Sequence, residues 1–117
     1  KAIASVSLTT DSSLLTAWTN DSDFETIFSR QVEALGEAGD VLVALSTSGK
    51  SKNVIEAIKC ADTMDIYTIV LTGKSGGLLK NSGTVTIRIP SDDTQRIQEG
   101  HITVGHILCE LAENSIR

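Results

Sequence analysis

The sequence predicts an α/β fold: a parallel sheet of about four strands in a three-layer αβα arrangement. Two observations carry that expectation. Short apolar runs rich in β-branched residues alternate along the chain with stretches whose apolar residues recur at helical spacing. A strand–helix–strand alternation of this kind closes as a parallel sheet with helices on both faces. A third observation sets the scale. The chain has 117 residues, enough for one small domain, and no repeat, low-complexity tract or linker divides it, so residues 1–117 are read as a single domain.

Taken in order, Ile3-Ala4-Ser5-Val6-Ser7-Leu8 is a candidate first strand. Phe24, Ile27, Phe28, Val32 and Leu35 fall at helical spacing and predict a helix from about 24 to 35. Val41-Leu42-Val43-Ala44-Leu45 is continuously apolar, as in a strand buried on both faces. Val54, Ile55, Ile58 and Ala61 form the stripe of the next helix, from about 53 to 61. Ile66 to Leu71 reads as a second buried strand. Thr84 to Ile89 alternates, which predicts a half-exposed edge strand. Pro90 then breaks the chain before a helix from about 93 to 113, with Ser91 or Asp92 as N-cap and Ile97, Val104, Ile107, Leu108 and Leu111 as its apolar face.

Composition narrows the function. Apolar residues make up 40% of the chain and aromatics only 3%, so the core must be aliphatic. The net charge of −5 argues against nucleic acid, whose phosphate backbone demands a basic surface. It leaves room for a small phosphorylated ligand held by local donors. The two cysteines, Cys60 and Cys109, lack metal-site spacing and are expected as buried free thiols in a reducing compartment. No apolar run approaches the ~20 residues that span a bilayer, and the N-terminus lacks a secretory pattern. A cytoplasmic protein without membrane partners is expected. The first residue is Lys1, so a longer sequence or a removed segment upstream is expected.

The chemistry concentrates after the Val41–Leu45 strand. Ser46-Thr47-Ser48-Gly49-Lys50-Ser51 joins that strand to the following helix. In parallel sheets, ligands bind at the carboxyl ends of the strands. A strand-to-helix turn there presents backbone N–H groups, and the helix dipole adds roughly half a positive charge. The hydroxyls of Ser46, Thr47, Ser48 and Ser51 add donors, and Gly49 permits close backbone approach. The set suits a phosphate monoester, although an N-cap at Ser51 followed by a polar turn would use the same residues. The spacing is not that of a nucleotide-triphosphate loop. A second turn, Thr72-Gly73-Lys74-Ser75-Gly76-Gly77, reads mainly as structural, with Thr72 and Gly73 as candidates for a pocket floor.

Several strings together resemble one family. Gly39-Asp40-Val41-Leu42 with the Ser46–Ser51 loop is similar to the phosphate loop of SIS domains. Arg96-Ile97-Gln98-Glu99 with His101 and His106 resembles the C-terminal helix of bacterial phosphoheptose isomerases. Thr9-Thr10-Asp11 through Asn20-Asp21, then Phe28-Ser29-Arg30-Gln31-Val32, is similar to the middle of that family. The resemblance covers essentially the whole chain. It implies a Rossmann-like or flavodoxin-like SIS fold and an aldose–ketose isomerisation of sedoheptulose 7-phosphate to glycero-manno-heptose 7-phosphate through an enediol.

On the last helix, Gln98, Ile102 and His106 lie within about 80° of one another at ~100° per residue, and Gly105 clears space beside His106. Such a stripe can lean over the strand ends. A lone helical histidine is more often structural or solvated, and His101 keeps that reading. The resemblance makes His106 one member of the acid/base pair, with the partner a glutamate on the helix after the family's first strand. It also places Asp21 and Gln98 among the substrate-binding residues. No cofactor is required. Some family members hold zinc at positions matching Gln98 and His106, but two ligands do not complete a tetrahedral site, so zinc would need help from elsewhere.

The family's N-terminal arm, its first strand and the glutamate-bearing helix have no counterpart here, and Lys1 matches the start of the family's second strand. The family's first strand is central. Its loss would leave two edges unpaired. The expected remedy is direct pairing of the strand near Ile3 with Val41–Leu45, together with a homo-oligomer, which in the family is a tetramer. Gln95 stands where some members carry an acidic residue. A non-catalytic phosphosugar-sensing or protein-interaction module is the alternative expectation.

Overall fold

A computed structural model describes residues 2–116. Eight elements follow in chain order: α1 (Ser12–Asp21), α2 (Ile27–Leu35), β1 (Val41–Ser46), α3 (Lys52–Thr63), β2 (Tyr67–Thr72), a 3₁₀ turn (Gly77–Leu79), β3 (Val85–Arg88) and α4 (Thr94–Ser115). The sheet is parallel throughout, in the order β1-β2-β3. β3 is an edge, as its alternation predicts. Among the described residues no helix is long and apolar enough to cross a membrane.

The helices start where side chains can replace missing backbone partners. Asp11 caps α1 by accepting from Leu14 N at 3.0 Å. At the entry to α2, Asp23 accepts from the Thr26 amide at 2.7 Å and hydroxyl at 2.9 Å. Those bonds hold the carboxylate below its ordinary pKa. The cap of α4 is Asp93, which accepts from Gln95 N at 3.0 Å. Neither Ser91 nor Asp92, the expected caps, takes that place. Ser91 Oγ instead accepts from Asp93 N at 3.1 Å, bracing the residue that does the capping.

Two core clusters lie on the α3 side of the sheet. Ile58 of α3 packs on Ala44 and Val70 of the sheet and on Leu79 of the 3₁₀ turn. The far side of α3, through Ala57 and Ala61, meets Val32 of α2 and Ile66. Full burial of an aliphatic side chain contributes about 1.5–3 kcal/mol, so Ile27, Val70, Leu71 and Leu79, all buried to 2% exposure or less, anchor the fold without aromatic help.

The other side of the sheet departs from expectation. β1 is not buried on both faces: Val41, Val43 and Leu45 are 55%, 43% and 50% exposed, while Ala44 and Ser46 are buried. Register places Val41 beside Tyr67 and Val43 beside Ile69, and Tyr67 is exposed too. An apolar face therefore stands bare. α4 meets the sheet mainly at β2, and its buried residues are Ile97 and His101. Of the rest of its expected apolar face, Val104 and Leu108 are half-buried and Ile107 and Leu111 are exposed. Phe24 and Leu35 are exposed as well, and α2 begins three residues after Phe24 because Thr26 is its N-cap.

The expected strand at Ile3–Leu8 does not form, so the sheet of about four strands has three among the described residues. Direct pairing with β1 does not occur. Leu8 packs instead against the Val32–Ala57–Ala61–Ile66 cluster, and its carbonyl accepts from Gln31 Nε2 at 3.0 Å. That docking ties the segment to the α2–α3 layer, and the outer edge of β1 keeps its backbone groups unpaired. The cysteines are free, but only Cys60 is partly buried and Cys109 is exposed. The Cys60 thiol donates to Ser29 O at 3.6 Å, and burial, with Glu33 adding to it, pushes its pKa up.

Candidate functional site

The Ser46–Ser51 loop sits at the carboxyl end of β1, where the sheet rule places a ligand. Its conformation is held from within. Ser46 Oγ accepts from Gly49 N at 3.1 Å and pairs with Ser51 Oγ at 2.8 Å. Ser48 Oγ accepts from Lys50 N at 3.1 Å. Ser51 is the N-cap residue of α3, yet its side chain caps no amide of the first turn. The hydroxyls brace the loop, and in the first turn of α3 Asn53 Oδ1 takes the Val54 amide at 2.9 Å, leaving the Lys52 and Asn53 amides toward an anion. α4 differs, since Asp93 already supplies its first turn with a carboxylate.

A second loop locks onto the first. Gly73 N donates to Thr47 O at 3.1 Å and Leu78 N to Gly49 O at 2.9 Å. Gly49 is left-handed at φ +64, and a Cβ there would overlap the Gly76 carbonyl. Two backbones can approach this closely only where one lacks a side chain. Between the loops and the start of α4 lies a cavity of about 260 Å³ lined by Thr47, Ser48, Lys50, Lys74, Ser75 and Thr94, among others. The loop read mainly as a structural turn thus supplies one wall. Gly73 is part of the lining, as its candidacy for the floor anticipated. The signal that could have found Lys74 and Ser75 was position: they follow β2 as Thr47 and Ser48 follow β1.

Of the residues expected at the site, Thr47 and Ser48 line the cavity, while Ser46 and Ser51 brace it from behind. Asp21, Gln98 and His106 line neither this cavity nor the larger groove, and all three are exposed. The reason for the two on α4 is rotational: the helix docks through Ile97 and His101, which turns the Gln98–His106 stripe away from the described residues. His101 is 4% exposed, and its Nε2 lies 3.1 Å from Thr72 O. A carbonyl only accepts, so Nε2 carries the proton. His101 is thus a structural clasp between α4 and the end of β2. Thr72, the other floor candidate, is fully buried at that clasp.

The larger groove, about 550 Å³, runs beside α1, α2 and α3 past Trp18, Arg30 and Cys60. There Trp18 Nε1 donates to Thr26 Oγ1 at 2.9 Å, Arg30 stacks 4.4 Å above the Trp18 ring, and Glu56 pairs with Lys59 at 2.7 Å. The smaller cavity carries the convergent free donors, and it is the better ligand site. As for zinc, no group of three or more His, Cys, Asp or Glu is placed to hold a metal ion among the described residues. Gln98 and His106 do not make a metal site by themselves.

The sequence that builds this loop and the sheet edge beneath it falls within a match to the SIS domain family model. That model matches residues 1–73, more than half of the chain, and the chain belongs to this family. Within it, the chain is similar to phosphoheptose isomerases. It is 52% identical to that of Geotalea daltonii over 116 residues, 99% of this chain and 60% of the relative. It is 50% identical to that of Aquifex aeolicus, covering 61% of it. The solved phosphoheptose isomerase of Neisseria gonorrhoeae superposes with a TM-score of 0.89 at 50% identity, over 95% of this chain and 62% of that one. The chain spans about three-fifths of the length of these relatives.

Proposed function

We propose that this chain is the phosphosugar-binding part of an aldose–ketose isomerase acting on a heptose phosphate, sedoheptulose 7-phosphate to glycero-manno-heptose 7-phosphate. The observation that carries the reading is the cavity beside the loop that leads into α3, with Thr47, Ser48 and Lys50 in its wall. A phosphate seated there would accept from amides, hydroxyls and an ammonium group, with the α3 dipole adding favourable charge. The similarity to phosphoheptose isomerases supports the sugar class. In this reading the sugar extends from the phosphate toward α4. Gln98 orients its hydroxyls, Asp21 closes the far side, and His106 moves the proton between C1 and C2 as one member of an acid/base pair. The second member is not among the residues assigned here.

Because Gln98 and His106 are exposed, the reading requires a further wall to enclose them. We assign that wall to other copies of the chain in a homo-oligomer. The uncovered apolar residues Ile102, Ile107 and Leu111 of α4 support this, since a helix of that length gains most of its stability by packing an apolar face. The same reading places the protein in the cytoplasm, where sugar phosphates are made. A second reading, a module that binds phosphosugar without turning it over, is favoured by one observation: this chain builds walls around the cavity, whereas the His106 stripe is exposed.

Titration of sedoheptulose 7-phosphate into the ¹⁵N-labelled chain tests binding, and an isomerisation assay run beside it separates the readings. Amide shifts at Thr47 through Lys52 with turnover that His106→Ala abolishes support the isomerase. The same shifts without turnover support the binding module. Unmoved amides at saturating ligand refute both.

A further inference from the structure

The second wall of the cavity holds a cation that the loop motif does not contain. Lys74 lies on the loop after β2, and its backbone is pinned: Lys74 N donates to Ser91 O at 3.1 Å, and the preceding Gly73 N donates to Thr47 O at 3.1 Å. With the main chain fixed on both sides, only the side chain is free to move. Its ammonium lies 3.9 Å from Asp92 Oδ2, and both side chains are mostly exposed, 66% and 79%. At that separation and exposure the pair is weak. Lys74 and Asp92 line the same cavity as Thr47, Ser48 and Lys50.

We propose that Lys74 is a phosphate-binding, specificity-determining residue, paired with Asp92 and transferred to a ligand's phosphate that competes for it. This rests on the phosphosugar reading above and deepens it. The physical case is an exchange of partners. Asp92 offers a single charge at the outer limit of an ion pair, while a phosphate monoester at neutral pH offers nearly two charges and three acceptor oxygens. A phosphate against Thr47 and Ser48 also draws on the α3 dipole and on Lys50, so the ligand outcompetes Asp92 for the ammonium.

Asp92 has its own consequence. As an anion in the cavity wall of a chain with net charge −5, it disfavours weakly charged or singly charged ligands that cannot draw Lys74 away. Discrimination for a dianion follows from the pair, not from the lysine alone. The loops before α3 and after β2 are already joined by backbone bonds, so the transfer needs no loop movement. It needs only rotation of a flexible side chain.

The test is a titration of inorganic phosphate into the full 117-residue chain, followed by ¹⁵N amide shifts at fixed ionic strength, with wild type, Lys74→Gln, Asp92→Asn and the double variant. Lys74→Gln is expected to weaken binding about five- to twentyfold, as for loss of one charge-assisted bond at a partly exposed site. Lys74→Arg retains most of the affinity, and Asp92→Asn tightens binding about two- to fivefold. In the Lys74→Gln background the gain from Asp92→Asn shrinks, which a merely structural role for either residue would not produce. Phosphate that shifts the Thr47–Lys52 amides with equal affinity in wild type and Lys74→Gln overturns the role of Lys74 and leaves the phosphosugar reading standing. An undiminished Asp92→Asn gain in the double variant overturns the exchange. A wild-type chain whose loop amides ignore phosphate overturns both readings together.

Discussion

Gly49 shows how a single residue carries both fold and site. Its φ of +64 is a conformation that side chains rarely adopt, and a Cβ would meet the Gly76 carbonyl and Gly77 N. The clash is backbone on backbone, so no rotamer change relieves it. Gly49→Ala is expected to cost about 2 kcal/mol or more from the left-handed backbone and the overlap combined, read as a lower urea midpoint. It should also weaken phosphate, because the clasp between Gly49 and Leu78 sets the spacing of the cavity walls. An unchanged midpoint would show that the two loops are not locked as described.

Among the elements, α4 is secured by its own chain only near its N-terminal end. Its first two turns are fixed by the Asp93 cap, Ile97 and the His101–Thr72 bond, and beyond them the helix has no buried residue. His101→Ala removes one of two donors to the buried Thr72 carbonyl, which keeps Ile89 N at 2.9 Å. A loss of about 0.5–1.5 kcal/mol is expected for that hydrogen bond, and His101→Gln, which can donate in its place, should recover part of it. Amide exchange along α4 would report the change, rising first beyond Ile102. If exchange there is untouched, the clasp does not hold the helix. α3 is the opposite case, gripped on two sides by the Ile58 and Ala57–Ala61 contacts.

For the whole molecule, the bare Val41–Val43–Leu45 face, the open edge of β1 and the uncovered stripe of α4 point the same way. An unpaired strand edge beside an apolar face is a template for association. In line with the proposed homo-oligomer, sedimentation of the isolated chain is expected to show concentration-dependent assembly. Val43→Lys, which charges the bare face without touching the core at Ala44 and Val70, should shift it toward monomer. A chain that stays monomeric across the accessible concentration range would remove the support these surfaces lend to an oligomer.

Some of this was legible in the residues alone. The alternation of apolar runs and helical stripes specified a parallel α/β sheet, and a serine-rich turn after a strand pointed to the sheet edge where the cavity lies. Both are local signals, because periodicity and turn chemistry depend on near neighbours. The coverage of each face was not legible. Val41–Leu45 reads as doubly buried, yet only packing decides whether a second layer reaches it, and here Leu8 docks on α2–α3 while α4 touches mainly β2. The same limit applies to the site. Lys74 joins Thr47 and Ser48, and the His106 stripe turns outward, because parallel strands bring distant turns to one edge and helix rotation is set by whichever residues, here Ile97 and His101, find a partner.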